Sequence, residues 1–506
     1  MTPTSYPAED ETARPGPRRD LYAAGAAALL VVTAALVGHH IQNTDGTLFV
    51  GWPPLFASWG PHTGPGSPAA VLVAVAVVVH GPALAARLPW RGLLAAVWAA
   101  ALAWTLSLAL VDGWQRGVVA RLTTRYEYLQ VVDRFQDIPA ALRGFASHIL
   151  ADSADPWPAH VVGHPPAATL TFVLLDRIGL RGGGWAGTWC LVVGATAATA
   201  VLVAVRALAD ERLARRAAPF VVLAPAAVWM GTSADAYFTA VAAWAVALLA
   251  LALTRSSAAA AAGCGLLFGL TCYLSYGLVL IAVIGVAVVY LGRRGLAARP
   301  ALLVPFTLGL AAVPVAFASA GFDWWAAYHL LVTRYHQGIG GIRPYGYWVW
   351  ANLACTVLLT GPAIAAGLRR TGVVLGRTRD RAGATTTRAA CPAAVPAMPT
   401  PGTAVRTAVP DRAAAAASTA VPNPPARRNG AFETAPARLA LLVAAAVLAV
   451  LVADLSGMSK AETERIWLPF AVWLLAAGAF LTRPRAWLAT QAMSALLLNH
   501  LLWTGW

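Results

Sequence analysis

The chain has 506 residues, of which 58% are hydrophobic and 12% are charged. Water cannot solvate such a chain, so the composition excludes an ordinary soluble domain and is typical of a polytopic membrane protein. The formal net charge of +15 comes from arginines concentrated in particular loops, a pattern that orients membrane proteins and does not call for a nucleic-acid partner.

Apolar runs recur along the whole chain and predict about thirteen spanning helices, since roughly 20 apolar residues cross the ~30 Å of hydrocarbon. The polar residues 1–20 are not followed by a small-residue cleavage site, so we interpret them as a cytoplasmic tail before an uncleaved first helix. The predicted spans are 21–38, 69–85, 93–111, 184–205, 217–231, 237–254, 258–275, 277–291, 300–319, 348–367, 438–453, 466–481 and 486–503.

The arginine-rich loops predict the orientation of these helices in the plasma membrane. With a cytoplasmic N-terminus, basic segments such as 206–216 and 369–381 all lie on the inner side. This arrangement requires one net crossing between residues 165 and 206. We therefore interpret residues 164–180 as a juxtamembrane or re-entrant helix. The expected fold is all-α and multi-pass, with a long extracytoplasmic loop at 113–165.

A second long segment, residues 371–436, divides the predicted helices into two groups. It is rich in Ala, Pro, Thr and Arg and has almost no large apolar residues, so it cannot bury enough surface to offset the entropy of ordering. We expect a disordered cytoplasmic loop there. It would separate an N-terminal transmembrane bundle at 21–370 from C-terminal transmembrane helices at 437–506.

The outer loop 113–165 contains the densest set of ionisable residues in the chain. An apolar stripe at helical spacing within it predicts amphipathic helices that lie along the membrane surface. The stripe consists of Leu129, Val132, Phe135, Ile138 and Leu142. Such helices either form one wall of an active site or only cap the bundle, and periodicity alone does not separate the two.

Ionisable residues at the outer ends of the apolar runs are the candidate functional residues, because charge at the edge of a bilayer is expensive unless it is used. Asp112 ends one run, although an Asp followed by Gly113 is also common in ordinary turns. His164 precedes two prolines that prevent a helix from starting earlier. It is either a structural histidine bonded to a carbonyl or a donor to a ligand.

Two arginines and one aspartate near the later apolar runs also have both a structural and a functional interpretation. Arg343 offers a planar fork for phosphate but could also reach lipid headgroups. Arg465 could pair with Glu464 or contact a phosphate. Asp235 is either a helix cap or a sugar ligand, and the capping residue types around it favour the cap.

Four segments give the chain a resemblance to a known family. They are GHPPAATL (163–170), YLSYGLVL (273–280), GFDWWAAYHLLVTRYHQGIGGIRPYGYW (321–348) and SGMSKAETERIWLPF (456–470). With a carboxylate at the end of a helix and a long first outer loop, the chain resembles the GT-C membrane glycosyltransferases. More narrowly, it resembles uncharacterised actinobacterial integral membrane proteins of that group. The resemblance covers most of residues 90–480.

The resemblance implies transfer of a sugar from a polyprenyl-phosphate-linked donor to a glycan, lipid or protein acceptor on the extracytoplasmic face, with inversion. In that chemistry a carboxylate accepts the proton of the attacking hydroxyl while the lipid phosphate departs. Asp112 matches the family's catalytic carboxylate, and Glu127 and Asp133 are the next candidates. Gly113 stands where the family often has a second acidic residue, which leaves the use of a divalent cation open.

The resemblance also implies roles for residues farther along the chain. We assign contacts with the donor phosphate to His164, Arg343, Lys460 and Arg465. We assign contacts with the transferred sugar or the acceptor to Asp133, Asp235 and Tyr345.

A transporter or lipid flippase is the main alternative, and a non-catalytic assembly protein is a third class. A transporter should carry charges near the bilayer midplane and Gly or Pro breaks in paired helices. Here the acidic residues lie at the ends of the runs, whose centres are almost entirely Ala, Val and Leu. The five cysteines form no CxxC pair, which argues against a zinc site or a disulfide framework. We therefore favour the glycosyltransferase.

The orientation can be tested at Cys391, which lies in the predicted cytoplasmic loop. In intact cells an impermeant thiol reagent should leave Cys391 unlabelled, and it should label Cys391 after the cells are opened, because this loop carries a large arginine excess. Mass spectrometry of the 388–405 region would measure the modification. Labelling of Cys391 from outside intact cells would reverse the assigned orientation.

Overall fold

The computed structural model of the protein describes residues 16–390 and 432–505. This part of the chain is predominantly helical, which confirms the all-α class. Two short strands, Ala57–Trp59 and Leu502–Thr504, pair antiparallel and bring together two segments that are distant in sequence.

Eight helices in the described ranges are long and apolar enough to cross a membrane, which fits a multi-pass membrane protein. A ninth span results if Tyr345–Thr360 and Pro362–Asp380, which meet at 106°, are one bent span. The eight helices are Pro17–Thr44, Ser67–Arg87, Trp90–Asp112, Gly182–Leu208, Ala234–Arg255, Tyr276–Ala298, Pro300–Ser319 and Ala435–Leu455.

This number is smaller than the predicted thirteen because four predicted spans form helices that are short, interrupted or not sufficiently apolar. Two are apolar but short, Ala258–Leu274 and Leu468–Phe480. The segment predicted at 217–231 is interrupted between Glu211–Val222 and Ala227–Met230, where Pro225 cannot donate a backbone hydrogen bond. The last one is Pro484–Leu501, which ends in the second strand. The remaining helices include Trp324–Gln337, Ile339–Ile342 and Thr463–Ile466.

The predicted surface helices of the 113–165 loop are short turns of helix. They are Gln115–Val119, Arg121–Thr123, Tyr128–Phe135, Ile138–Arg143, Phe145–His148 and Ala159–Gly163. Because Tyr128–Phe135 is a tighter 3₁₀ helix with three residues per turn, its buried side chains are Tyr128, Val131 and Phe135. Leu129 and Val132 of the predicted stripe are only half-buried.

The helix after His164 fits the predicted juxtamembrane interpretation. It covers Ala167–Arg177, and 11 residues extend only about 16 Å, roughly half of the hydrocarbon thickness. At its far end Arg177 donates hydrogen bonds to the carbonyls of Phe135 (3.0 Å) and Gln136 (2.7 Å). Both ends of this helix therefore lie against the 113–165 loop.

The helix Pro362–Ala390 covers the first twenty positions of the segment 371–436, so these positions are helical where a disordered loop was predicted. Residues 391–431, which include Cys391, lie outside the described part of the chain.

A buried ion cluster ties the first helix to the later ones. Asp20 is 1% exposed and accepts hydrogen bonds from both Arg369 and Arg370. Arg370 also donates to the carbonyl of Phe480 (2.9 Å) and to the hydroxyl of Thr482 (3.0 Å). We call this end of the bundle the Asp20 end and the opposite end the Asp112 end.

Asp20→Asn should lower the stability of the protein by on the order of 3 kcal/mol, because it leaves two arginines without their buried carboxylate. The expected result is a clearly lower thermal unfolding midpoint in detergent or nanodiscs. Asp45→Asn, at the exposed opposite end of the same helix, is the matched control and should leave the midpoint unchanged. Equal midpoints for the two variants would mean that the cluster does not stabilise the fold.

Candidate functional site

Four segments that are distant in sequence meet around Arg465 at the Asp112 end. The guanidinium of Arg465 donates to Asp235 Oδ2 (2.7 Å) and to Glu462 Oε2 (2.9 Å), and it lies 3.1 Å from His160 Nε2. The other ring nitrogen of His160, Nδ1, is 2.8 Å from Glu127 Oε1. We call these five residues the Arg465 cluster.

Local backbone structure places each member of the cluster. Ser233 caps the helix Ala234–Arg255 by accepting a hydrogen bond from the amide of Asp235 (3.1 Å), so the capping role falls to Ser233 and the Asp235 carboxylate is free to meet Arg465. Glu127 precedes the 3₁₀ helix Tyr128–Phe135. Glu462 has a positive φ of 61°, a strained conformation that often occurs at functional sites.

A small cavity of about 10 Å³ lies beside the cluster, which is room for about one water molecule. Its lining residues are Arg121, Glu127, Tyr128, His160, Thr232, Ser233, Ala234, Asp235 and Arg465. Glu127 is 4% exposed, and its Oε2 is a buried acceptor without a hydrogen-bond partner. A buried carboxylate oxygen without a hydrogen-bond partner destabilises the fold. A hydrogen-bond donor that enters the cavity would satisfy this oxygen.

The cluster is rich in negative charge, with three carboxyl groups around one guanidinium. Burial alone would raise the pKa of Glu462, but the charges of Arg465 and Arg343 lower it. Burial would lower the pKa of Arg465, but Asp235 and Glu462 raise it. Since the Arg465 donors are bonded to these carboxylates, the predicted contact with a donor phosphate is not favoured. The cavity suits hydroxyl donors better than an anion.

His164 lies next to the cluster but does not line the cavity. Its Nδ1 is 2.7 Å from the carbonyl of His160 and 2.9 Å from the hydroxyl of Tyr128. Burial lowers the pKa of His164 to about 4, so the ring is neutral at physiological pH. This environment agrees with the structural interpretation, in which a carbonyl satisfies the histidine, rather than with phosphate binding.

Asp112 ends its helix as expected but is already paired. Its Oδ1 is 3.1 Å from His62 Nε2, and its Oδ2 accepts a hydrogen bond from Arg121. Arg121 also donates to the carbonyl of Thr504 (3.0 Å) and lines the cavity, so it connects Asp112 with the Arg465 cluster. Trp503 stacks on His62 with ring centroids 3.6 Å apart. The strand at the chain's end therefore helps to form this site.

Arg343 is buried away from the cavity. Its Nε donates to the carbonyl of Leu48 (2.9 Å) and its Nη1 to that of Lys460 (2.7 Å), which ties two loops together. Glu462 is 3.7 Å away. The fork that the sequence suggested for phosphate is thus occupied by backbone carbonyls, which favours a structural role.

The other three predicted site residues also lie outside the cavity. Lys460 donates to the carbonyl of Gly340 (3.0 Å). Tyr345 donates to the carbonyl of Leu455 (3.2 Å) and is 43% exposed. Asp133 is exposed on the 3₁₀ helix. The structure therefore brings together Glu127, Asp235 and Arg465 of the predicted residues, with Asp112 adjacent through Arg121.

Sequence reasoning missed four residues that complete the site: His62, Arg121, His160 and Glu462. The sequence contained an indication of two of these residues. Glu462 precedes Arg465 by three positions, a common spacing for a helical ion pair, and His160 lies four residues before His164. His62 and Arg121 had none, because their connection to Asp112 exists only in three dimensions.

Glu464 lies beside the cluster, and its burial shifts the titration of its carboxyl group towards neutral pH. Its side chain is completely buried; Oε1 accepts a hydrogen bond from the amide of Phe56 (3.0 Å), whereas Oε2 has no partner. Burial raises the pKa of this carboxyl from 4.5 to about 7. The folded protein therefore binds this proton more tightly than the unfolded chain does.

The contribution of Glu464 to stability should consequently fall as the pH rises from 4.5 to about 7, because the unfolded chain releases this proton first. Glu464→Gln cannot ionise, so the wild type should lose stability relative to this variant over this range. Thermal unfolding midpoints in nanodiscs at several pH values would measure the difference. Asp152→Asn, an exposed control, should follow the wild type. Parallel pH profiles for the wild type and Glu464→Gln would contradict the assignment.

No group of three or more His, Cys, Asp or Glu side chains positioned to hold a metal ion occurs in residues 16–390 and 432–505. The chain matches no protein-family model, and comparisons with curated proteins and with solved structures give no match.

Proposed function

We propose that this chain is a GT-C-like glycosyltransferase that transfers a sugar from a polyprenyl-phosphate donor to a glycan, lipid or protein acceptor at the extracytoplasmic face of the plasma membrane. The observation that carries the proposal is the cavity at one end of the apolar helices, in which Glu127 presents an unpartnered oxygen. A single hydroxyl group, which has about the size of the one water molecule that the cavity admits, is the donor that this site lacks. Asp235, Ser233 and Thr232 supply further polar groups along its wall.

In the proposed reaction the acceptor oxygen bonds to the anomeric carbon, the bond from that carbon to the phosphate oxygen breaks, and a carboxylate takes the hydroxyl proton. Glu127 is our first choice for this base because its Oε2 is unpartnered and the residue lines the cavity. Both oxygens of Asp112, the residue favoured by family resemblance, contact His62 or Arg121. A carboxylate with such contacts holds a cationic side chain in position.

The departing phosphate needs a cation outside the carboxylate-rich cavity. Arg116 is exposed, and its guanidinium lies 3.7 Å over the ring of Trp503, next to Asp112 and its partners. Arginine pairs well with phosphate. We therefore assign the phosphate contact to Arg116 in place of Arg343 and Arg465.

Hydrogen bonds at the two ends of the bundle support the proposal that the chain crosses the membrane more often than its long helices alone would. Arg216 donates to the carbonyl of Leu481 (2.9 Å), close to the Arg370 contacts at the Asp20 end. Thr232 donates to the carbonyl of Gly117 (2.9 Å), at the Asp112 end. The interrupted segment between Arg216 and Thr232 thus runs from one end to the other, as a spanning segment would.

Glu127→Gln keeps the hydrogen bond to His160 but cannot take a proton, so sugar transfer should fall by about 10² to 10⁴. The assay uses purified protein in nanodiscs and a panel of radiolabelled polyprenyl-phosphate pentoses and hexoses. Asp112→Asn should lower transfer less. Asp152→Asn, an exposed carboxylate of the same loop, is the matched control and should retain full activity.

The outcomes separate the alternatives. Near wild-type transfer by Glu127→Gln together with a large loss in Asp112→Asn would make Asp112 the base. Activity that is unchanged in both variants would reject the site. If the wild type transfers no sugar from any donor but moves a lipid-linked sugar across a vesicle membrane, the chain is a transporter or flippase.

A further inference from the structure

A separate and larger cavity lies between the helices Ala258–Leu274 and Pro300–Ser319. Its volume is about 640 Å³, and it shares no lining residue with the cavity of the Arg465 cluster. Aromatic and aliphatic side chains dominate its wall. They include Tyr273, Val279, Pro314, Ala318, Phe322 and Trp324.

The packing of these two helices explains why a groove forms at one end only. A Cβ at Gly265 would lie 2.0 Å from the carbonyl oxygen of Phe306, so the helices are in close backbone contact there. Nearer the Asp112 end, Pro314 lies inside the second helix, and the ring of Tyr273 packs against Phe317 (centroids 4.6 Å apart) and Phe322 (6.1 Å). The groove occupies this part.

One wall of the groove belongs to a helix whose surface is exposed and apolar, as expected for a helix in contact with lipid. The helix Pro300–Ser319 is only 6% buried in the protein, and exposed apolar side chains such as Leu308 cover its surface. An apolar groove does not hold ordered water, and an empty one would forfeit the dispersion contacts of its walls. A hydrocarbon chain excludes water and restores the dispersion contacts of the walls, so it is the ligand that fits this groove.

The charged side chain of Arg143 lies at the mouth of the groove. Arg143, at the end of the surface helix Ile138–Arg143, is exposed, and its aliphatic stem occupies the space that a Cβ at Gly321 would need. The neighbouring carboxylate of Asp323 caps its own helix by accepting from the amide of Ala326 (2.9 Å). The Arg143 guanidinium therefore remains available to a phosphate at the interface.

We propose that this groove binds one acyl chain of a membrane phospholipid, whose phosphate contacts Arg143. The site does not depend on the glycosyltransferase proposal, because it shares no residue with that cavity. A bound lipid fills the space beside the stacked rings of Tyr273 and Phe317, which join the two helices, and it thereby supports the position of the helix Trp324–Gln337 next to the groove.

The test uses the full chain in nanodiscs with a phosphatidylglycerol that carries a photoreactive diazirine in its acyl chain. Peptides that contain residues 311–325 should be labelled. Ala318→Trp fills the groove and should abolish this labelling. Leu308→Trp, on the exposed surface of the same helix, is the matched control and should leave it unchanged, provided that both variants have wild-type unfolding midpoints.

A second experiment tests the contact between the lipid phosphate and Arg143. Arg143→Gln should reduce the preference for the phospholipid over a diacylglycerol probe by about tenfold, as expected from loss of a charge-assisted hydrogen bond. Equal labelling of Ala318→Trp and Leu308→Trp would reject the groove as a lipid site. Stronger competition by polyprenyl phosphate than by unlabelled phosphatidylglycerol would overturn the proposed occupant.

Discussion

The ion pairs of Arg465 hold the Asp112 end of the molecule together. This one buried guanidinium joins Asp235, 230 residues away, to His160, 305 residues away. A buried charge that loses its partner costs several kcal/mol, so the segments that carry these groups must arrive in one arrangement. The cavity beside Glu127 is a result of that arrangement, since its walls come from the same segments.

Polar ties of this kind have a particular importance in a bundle of apolar helices. The centres of the helices are mostly Ala, Val and Leu, which lipid solvates as well as another helix does. Hydrophobic burial therefore specifies the relative positions of the helices only weakly. The Asp20 cluster at one end and the Arg465 and Asp112 contacts at the other fix both ends of the bundle, while close glycine contacts such as Gly265 with Phe306 set the spacing between them.

The features that could be predicted from the sequence are those that local residue patterns encode. Hydropathy gave the helical class and most long helices, and the arginine pattern singled out the short helix after His164. The position of Asp112 at a helix end followed in the same way. Interruptions such as the one at Pro225 were missed, because an apolar run looks the same whether or not its helix is continuous.

Pairing between distant residues could not be predicted from one sequence. The fork geometry of Arg343 is equally suitable for a phosphate and for the carbonyls of Leu48 and Lys460, and only the fold decides between them. The same holds for Asp112, whose neighbours His62 and Arg121 approach from different segments. Residue type thus indicated where the site lies more reliably than it indicated what each residue contacts.

The pairing of the strands Ala57–Trp59 and Leu502–Thr504 has a consequence for biosynthesis. Asp112 and His62 leave the ribosome long before Trp503 and Thr504, which complete their surroundings. Even if the helices insert into the membrane one after another during translation, the pocket around Asp112 can close only after Trp503 and Thr504 have been made. An incompletely translated chain therefore carries the early half of this site without its late half.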